Sequence, residues 1–191
     1  MTGRERCPWS LGHPLLTEYH DKEWGTPLHD EDQHFEFLLL ECMQAGLNWL
    51  TMLKKRENFR KAFDGFDYRK IAGYGEEKIE SLLQDPGIIR NRLKIRAAIT
   101  NARRFLEVQE EFGSFDTYIW SFTGGKTVDR RLESQDKIPV TTELSDRVSA
   151  DLKKRGFKFV GSTTIYAHLQ AIGVVNDHIT GCFRHRELRK P

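Results

Sequence analysis

Cysteine is scarce in this chain, long apolar stretches are missing, and neither strand-like alternation nor an internal repeat runs through its 191 residues. Each absence excludes something. Three cysteines are too few for a disulfide framework, so a reducing cytosol and a cytoplasmic protein are expected. No apolar run is long enough to cross a bilayer, and the charged, proline-containing N-terminus is unlike a signal peptide, so no membrane partner is expected. The lack of alternating segments bounded by hairpin turns argues against a sandwich or barrel. The lack of repeats argues against a solenoid.

What is there reads as helix. Asp30 with Gln33 opens a helix over 31–44, Asn48 caps a second over 49–63, and Asp85-Pro86-Gly87 stops a third over 76–84. Residues 90–112 place Ile95, Ala98, Ile99, Ala102, Phe105 and Leu106 on one face with a 3.6-residue period. Ser114 caps a short aromatic helix through Phe122, Ser145 caps another to Arg155, and a last one runs from about Ser162 to Ala171. Residues 123–140, with Gly124-Gly125 and Pro139, read as a loop suited to disorder or a lid. The predicted fold class is all-α, a single domain over residues 1–191 with enough aromatic side chains to build a core.

The stretch Phe35 to Leu50 sets a carboxylate, Glu41, inside a run that is otherwise apolar or small. A glutamate is rarely buried without a partner, because desolvating its charge costs several kcal/mol. Glu41 therefore lies either on the one wet edge of the helix or at a cleft. Gly46 favours the cleft: as a C′ glycine it ends the helix in an exposed elbow, and Trp49 then brings a flat aromatic face near the carboxylate. Trp49 also has plain core spacing with Leu50 and Leu53.

Charge is uneven beneath the net +2. Residues 1–36 hold three basic against eight acidic residues, 3 − 8 = −5, which leaves about +7 for the rest. Three clusters carry most of it: Lys54-Lys55-Arg56 with Arg60 and Lys61; Arg90, Arg92, Lys94 and Arg96; Lys153-Lys154-Arg155 with Lys158. Singly each reads as a solvated helix face; together they point to a polyanion. Between two predicted helices, Gly156-Phe157-Lys158-Phe159-Val160-Gly161 makes a glycine-bracketed turn whose main-chain N–H groups, leading into Ser162, suit a phosphate. An ordinary helix-turn-helix corner fits the same residues.

Cys7 and His20 near one end, and His178 and Cys182 at i, i+4 near the other, are a donor set for a closed, structural tetrahedral zinc. Spacing alone leaves them equally readable as unrelated residues, with His13 and His185 as rival ligands and Cys42 as a core residue.

Residues 7–66 and 152–182 resemble the 3-methyladenine DNA glycosylase I family of the helix-hairpin-helix superfamily. The resemblance rests on Cys7-Pro8-Trp9, on Tyr19-His20-Asp21-Lys22-Glu23-Trp24-Gly25 and on Gln44-Ala45-Gly46-Leu47-Asn48-Trp49. It continues in Leu53-Lys54-Lys55-Arg56-Glu57-Asn58, in Lys153 to Gly161 and in Val175-Asn176-Asp177-His178. It implies a helix-hairpin-helix glycosylase fold in two helical lobes, with one structural zinc on Cys7, His20, His178 and Cys182 joining the termini. It implies a catalytic Glu41 in a base pocket with Tyr19, Trp49, Trp9 and Trp24. Gly46, Leu47, Lys54, Gly156, Lys158, Gly161 and Ser162 are then the DNA contacts. The implied activity is excision of 3-methyladenine, flipped from double-stranded DNA carrying alkylated bases, by a monomer.

The chain departs from the family pattern at Cys42 and Met43, bulkier than usual and adjacent to Glu41, which leaves the pocket shape open. Asn176 stands where the wider superfamily carries a catalytic Asp, and Asp177 would replace it only if the register slipped by one. Ser162-Thr163 stand where lyase members carry a lysine, so a monofunctional enzyme is expected. A zinc-stapled binding protein without catalysis, and a glycosylase for another lesion, are the competing readings.

Overall fold

In a computed structural model that describes residues 4–189, the chain is mostly helical. The elements are α1 (Pro14–Lys22), α2 (Glu31–Gln44), α3 (Trp49–Ala62), α4 (Tyr68–Ala72), α5 (Glu76–Gln84), α6 (Arg92–Phe112), α7 (Phe115–Ser121), α8 (Glu143–Lys154), α9 (Ser162–Ala171) and α10 (Phe183–Leu188). Two-residue strands, β1 (Val128–Asp129) and β2 (Val175–Asn176), pair in parallel.

Helix α2 is the axis of the core. From His34 to Met43 every residue is buried, because α3, α6, α7 and α9 all pack on it. An apolar face on all sides is what a helix enclosed by neighbours needs. The capping side chains set its limits and those of α3: Asp30 accepts from Gln33 N at 2.9 Å, and Asn48 accepts from Thr51 N at 2.9 Å. Between them Gly46, at φ +80°, makes the elbow that no β-carbon would favour.

Three expectations need correction. Ser145 does not cap α8; Thr142 does, its Oγ1 accepting from Ser145 N at 3.1 Å, and Ser145 is the reciprocal N3 partner, its hydroxyl accepting from Thr142 N at 2.8 Å. Residues 123–140 are largely a loop, as expected, but a tethered one: β1 pairs with β2, Thr180 N donates to Leu132 O at 2.8 Å, and Trp9 N donates to Gln135 Oε1 at 2.7 Å. The helix expected from residue 90 begins at Arg92, since Asn91 accepts from Lys94 N at 3.1 Å and so fixes the cap.

The chain ends meet. Phe183 N donates to Glu5 O at 2.9 Å, which lays the last helix along the first described residues.

Candidate active site and metal cluster

Glu41 sits one turn before the end of α2 and is 2% exposed, so the wet-edge reading is excluded. Its Oε2 is buried with no hydrogen-bond partner. With no cation near it, burial alone pushes its pKa up to about 8, so the carboxyl is mostly protonated at neutral pH.

The carboxyl borders a cavity of about 240 Å³ lined also by Trp9, Tyr19, Trp24, Gln44 and Trp49, with Ile138, Ala167 and Gln170 completing the wall. The aromatic rings brace one another: Trp9 meets Trp24 edge-on with centroids 5.0 Å apart, and Tyr19 tilts against Trp49 at 5.2 Å. Burial, and then the charge of Glu41, hold the Tyr19 hydroxyl well above its ordinary pKa, so it stays a neutral phenol. Trp49 Nε1 is a second buried polar atom without a partner. One orphaned acceptor and one orphaned donor in a cavity of flat rings describe a slot for a planar, polar-edged ring.

Cys42 and Met43 do not line the slot. Cys42 turns to the other side of α2, where Asn101 Nδ2 approaches its sulfur at 3.5 Å and the carbonyls of Lys158 and Phe159 lie 3.6 Å away. Asp177 is also off the lining. Its Oδ2 accepts from the Tyr166 hydroxyl and from Gln170 Nε2, the latter at 2.7 Å, so it reaches the cavity only through Gln170. Asn176 Oδ1 accepts from His178 N at 3.2 Å.

Directly behind the aromatic wall, one donor atom each from Cys7, His20, His178 and Cys182 lie within 4.8 Å of one another, all four residues buried. His178 Nδ1 is 3.2 Å from His20 Nε2 and 3.6 Å from each sulfur, and Cys182 Sγ is 3.4 Å from His20 Nε2. The opposite ring nitrogens are fixed as metal-binding histidines require: His20 Nδ1 is 2.8 Å from Asp21 Oδ1, and His178 Nε2 donates to Trp24 O at 2.9 Å. The cluster could hold a metal. The rivals are elsewhere: His13 accepts from Leu15 N at 3.1 Å, and His185 pairs with Asp129 at 2.9 Å.

The basic clusters divide. Arg56, Arg60, Arg92, Arg96 and Arg155 are in ion pairs and Lys94 is buried, so those six are structural rather than free for a polyanion. Lys54, Lys61, Arg90, Lys153, Lys154 and Lys158 are exposed and form no ion pair among the described residues. Gly156, at φ +92°, closes α8: its N–H donates to Lys153 O at 2.9 Å and Phe157 N to Leu152 O at 3.0 Å. Gly161 is the N-cap of α9 with open space around its Cα and no side chain capping the first turn. The Ser162 hydroxyl is held by Asp146 and Ser145. At the elbow Leu47 is 41% exposed.

Sequence reasoning missed Gln44, Ile138, Ala167 and Gln170 as lining residues. Gln44 ends α2 one turn after Glu41 and could have been found from that spacing; nothing in the spacing of the others marks them, because they come from a loop and from α9.

A helical protein with an aromatic slot closed by a buried carboxylate, backed by a thiolate and imidazole cluster, has the form of a base-recognising glycosylase. A family model described as methyladenine glycosylase matches residues 9–185, and the chain belongs to that family. It is 48% identical to DNA-3-methyladenine glycosylase 1 of Escherichia coli (strain K12) over 178 residues, covering 93% of this chain and 95% of that protein. Among solved structures it is similar to 3-methyladenine DNA glycosylase I from Staphylococcus aureus, a protein that recognises 3-methyladenine, at 35% identity with a TM-score of 0.90 over 93% of this chain and 95% of that one. It is similar too to a variant of 3-methyladenine DNA glycosylase I in complex with 3-methyladenine, at 34% identity and a TM-score of 0.90, over 93% of this chain and 96% of that one.

Proposed function

We propose that this chain is a monofunctional DNA-3-methyladenine glycosylase that flips the damaged nucleotide out of double-stranded DNA and releases the base by hydrolysis. The observation that carries the reading is the buried Glu41 carboxyl with an unpartnered oxygen, facing a slot walled by Trp9, Tyr19, Trp24 and Trp49. An adenine methylated at N3 is cationic in DNA, so its glycosidic bond is already weakened and its departure needs no proton. Recognition then supplies most of the selectivity. A cationic ring in the slot stabilises the ionised form of Glu41, and the pair gains charge-assisted hydrogen bonding that neutral adenine does not. Trp49 adds a cation–π contact, worth about 0.5–2 kcal/mol.

The elbow faces the duplex: Gly46 and Leu47 enter the space that the flipped nucleotide vacates. Phosphates are held by Lys54 and Lys158 and by the N–H groups of the turn from Gly156 to Gly161 and of Ser162 at the start of α9, a helix-hairpin-helix element. Among the described residues none that lines the slot is a lysine, which supports hydrolysis without a strand-cleaving Schiff base.

Cys7, His20, His178 and Cys182 would hold one zinc. A tetrahedral zinc with two nitrogen and two sulfur ligands has ligand–ligand edges of about 3.3–3.8 Å, close to the spacings here. All four positions are protein donors, so the metal would supply cross-linking rather than chemistry. It would tie the ends of a single helical domain, active as a monomer, and would fix the Trp24 wall through His178.

Release of free base from alkylated double-stranded DNA, identified by chromatography, tests the reading. Free 3-methyladenine is the expected product. Release of a different base would make this a glycosylase for another lesion, and binding without release would make it a zinc-stapled DNA-binding protein.

A further inference from the structure

Lys94 is the one buried lysine among the described residues, 8% exposed, and it breaks two local rules at once. It lies at the third position of α6, where the helix dipole disfavours a cation, and its ammonium is withdrawn from water. The compensation lies across the molecule. Lys94 Nζ donates to Met43 O at 2.8 Å and to Ala45 O at 2.6 Å, the last carbonyls of α2, a helix with no basic residue in its own final turn. Two more bonds close the same turn: Leu47 N donates to Gln44 O at 2.6 Å, and Gln44 Nε2 donates to Leu47 O at 2.7 Å.

The segment so braced carries an apolar side chain into solvent. Leu47 is 41% exposed, and its turn is held from below by a charge brought from α6, about fifty residues further along the chain. A surface turn with no task does not need a buried ammonium beneath it. We propose that Lys94 is a positioning residue, which holds the Gly46-Leu47 elbow in the shape that inserts into DNA. This rests on the insertion role given to the elbow above. Removal of the ammonium leaves two carbonyls without a donor and lets the turn relax, so Leu47 meets the base stack in many orientations instead of one.

The test uses the full-length protein, a duplex with an abasic site flanked by 2-aminopurine, and free 3-methyladenine. Insertion of Leu47 beside the reporter base changes its fluorescence without any catalysis. In Lys94→Met the fluorescence change should fall by at least half and duplex affinity by about fivefold, while free-base affinity stays within about twofold. Added to Leu47→Ala, the same substitution should cost nothing more, because the group it positions is gone. An unchanged fluorescence response in folded Lys94→Met overturns the proposal, as does a loss that multiplies with that of Leu47→Ala. If Lys94→Met does not fold, Lys94→Gln, which keeps a donor for one carbonyl, decides by the same measures: a partial loss confined to the duplex is expected, and no loss, or an equal loss of free-base affinity, overturns it. A wild-type protein that inserts normally but releases no base would refute the glycosylase reading and leave this one standing.

Discussion

Glu36 and Glu41 lie on the same helix, five residues apart and almost equally buried, at 4% and 2% exposure. Their surroundings differ completely. Glu36 Oε1 accepts from Arg56 Nε at 2.6 Å and from Arg60 at 2.7 Å, and Arg56 reaches on to Glu23. Glu41 has no cation and leaves an oxygen without a partner. Burial alone therefore does not separate the two; what separates them is that Glu36 is satisfied by arginines inside the protein, whereas under the proposed function Glu41 is satisfied by the base it recognises. The Cys7, His20, His178 and Cys182 cluster is a second place where buried polar groups converge, with one donor atom from each within 4.8 Å of the others.

The largest effect is expected there. Protein purified without added zinc should carry about one zinc per chain by metal analysis, and chelation should lower the melting temperature before any other property changes. Cys7→Ser and Cys182→Ser should each do the same. Activity should fall only through that unfolding, because a metal held by four protein donors would supply cross-linking rather than chemistry. Metal content unchanged in both variants would remove the four-ligand site.

Glu36→Gln comes next. It leaves Arg56, itself largely buried, with one carboxylate instead of two, so a loss of about 2–3 kcal/mol in urea unfolding is expected. Excision per folded molecule should be unchanged. A Glu36→Gln protein that is stable but inactive would erase the distinction between the two glutamates.

That distinction was only half legible beforehand. The presence of α2, α3, α5 and α6 follows from Asp30, Asn48, Pro86 and the 3.6-residue period, all local signals, although the period placed the start of α6 two residues too early. The short α1, α4 and α10 gave none, since five to nine residues hold too few turns for a period to emerge. In the site, Glu41 was conspicuous because its neighbours in sequence are apolar. Whether it was paired could not be read, because partners for α2 come from α3: Arg56 and Arg60 happen to fall beside Glu36 and not beside Glu41. The fate of the arginine clusters was hidden for the same reason. Gln170 and Ile138 reach the slot by tertiary packing alone.

Glu41→Gln is the direct counterpart. It keeps size and some hydrogen bonding but removes the charge, so excision of 3-methyladenine and affinity for the free base should fall at least about tenfold, roughly 1.4 kcal/mol. Stability moves the opposite way, and with pH. The folded protein keeps the Glu41 proton to about pH 8, while the unfolded chain loses it near 4.5, so this group lowers stability as pH rises through that window. The variant should match wild type near pH 4.5 and exceed it near pH 8. In wild type kcat/KM should climb with pH toward a plateau above about 8, as the free enzyme loses that proton, and the climb should be missing in Glu41→Gln. Full activity in a well-folded Glu41→Gln protein would end the role assigned to Glu41.

The smallest effects carry the contrast over to the cations. Lys54 and Lys158 are exposed and form no ion pair among the described residues, whereas Arg56, two residues from Lys54, is bound to two glutamates. If unpaired cations await a partner as the unpaired carboxylate does, Lys54→Ala and Lys158→Ala should each weaken binding to an abasic duplex a few-fold, about equally for all sequences. Each should also lower the slope of log affinity against log salt by about 1, because one phosphate contact is lost. Neither should alter the melting temperature, since a solvated lysine contributes little to folding. Arg56→Ala should show the reverse pattern, a clear loss of stability and an unchanged salt slope, because its charge is already neutralised inside the protein. Equal salt slopes in all three variants would mean that the phosphates are held by main-chain groups alone, and the lysines would return to being a solvated helix face.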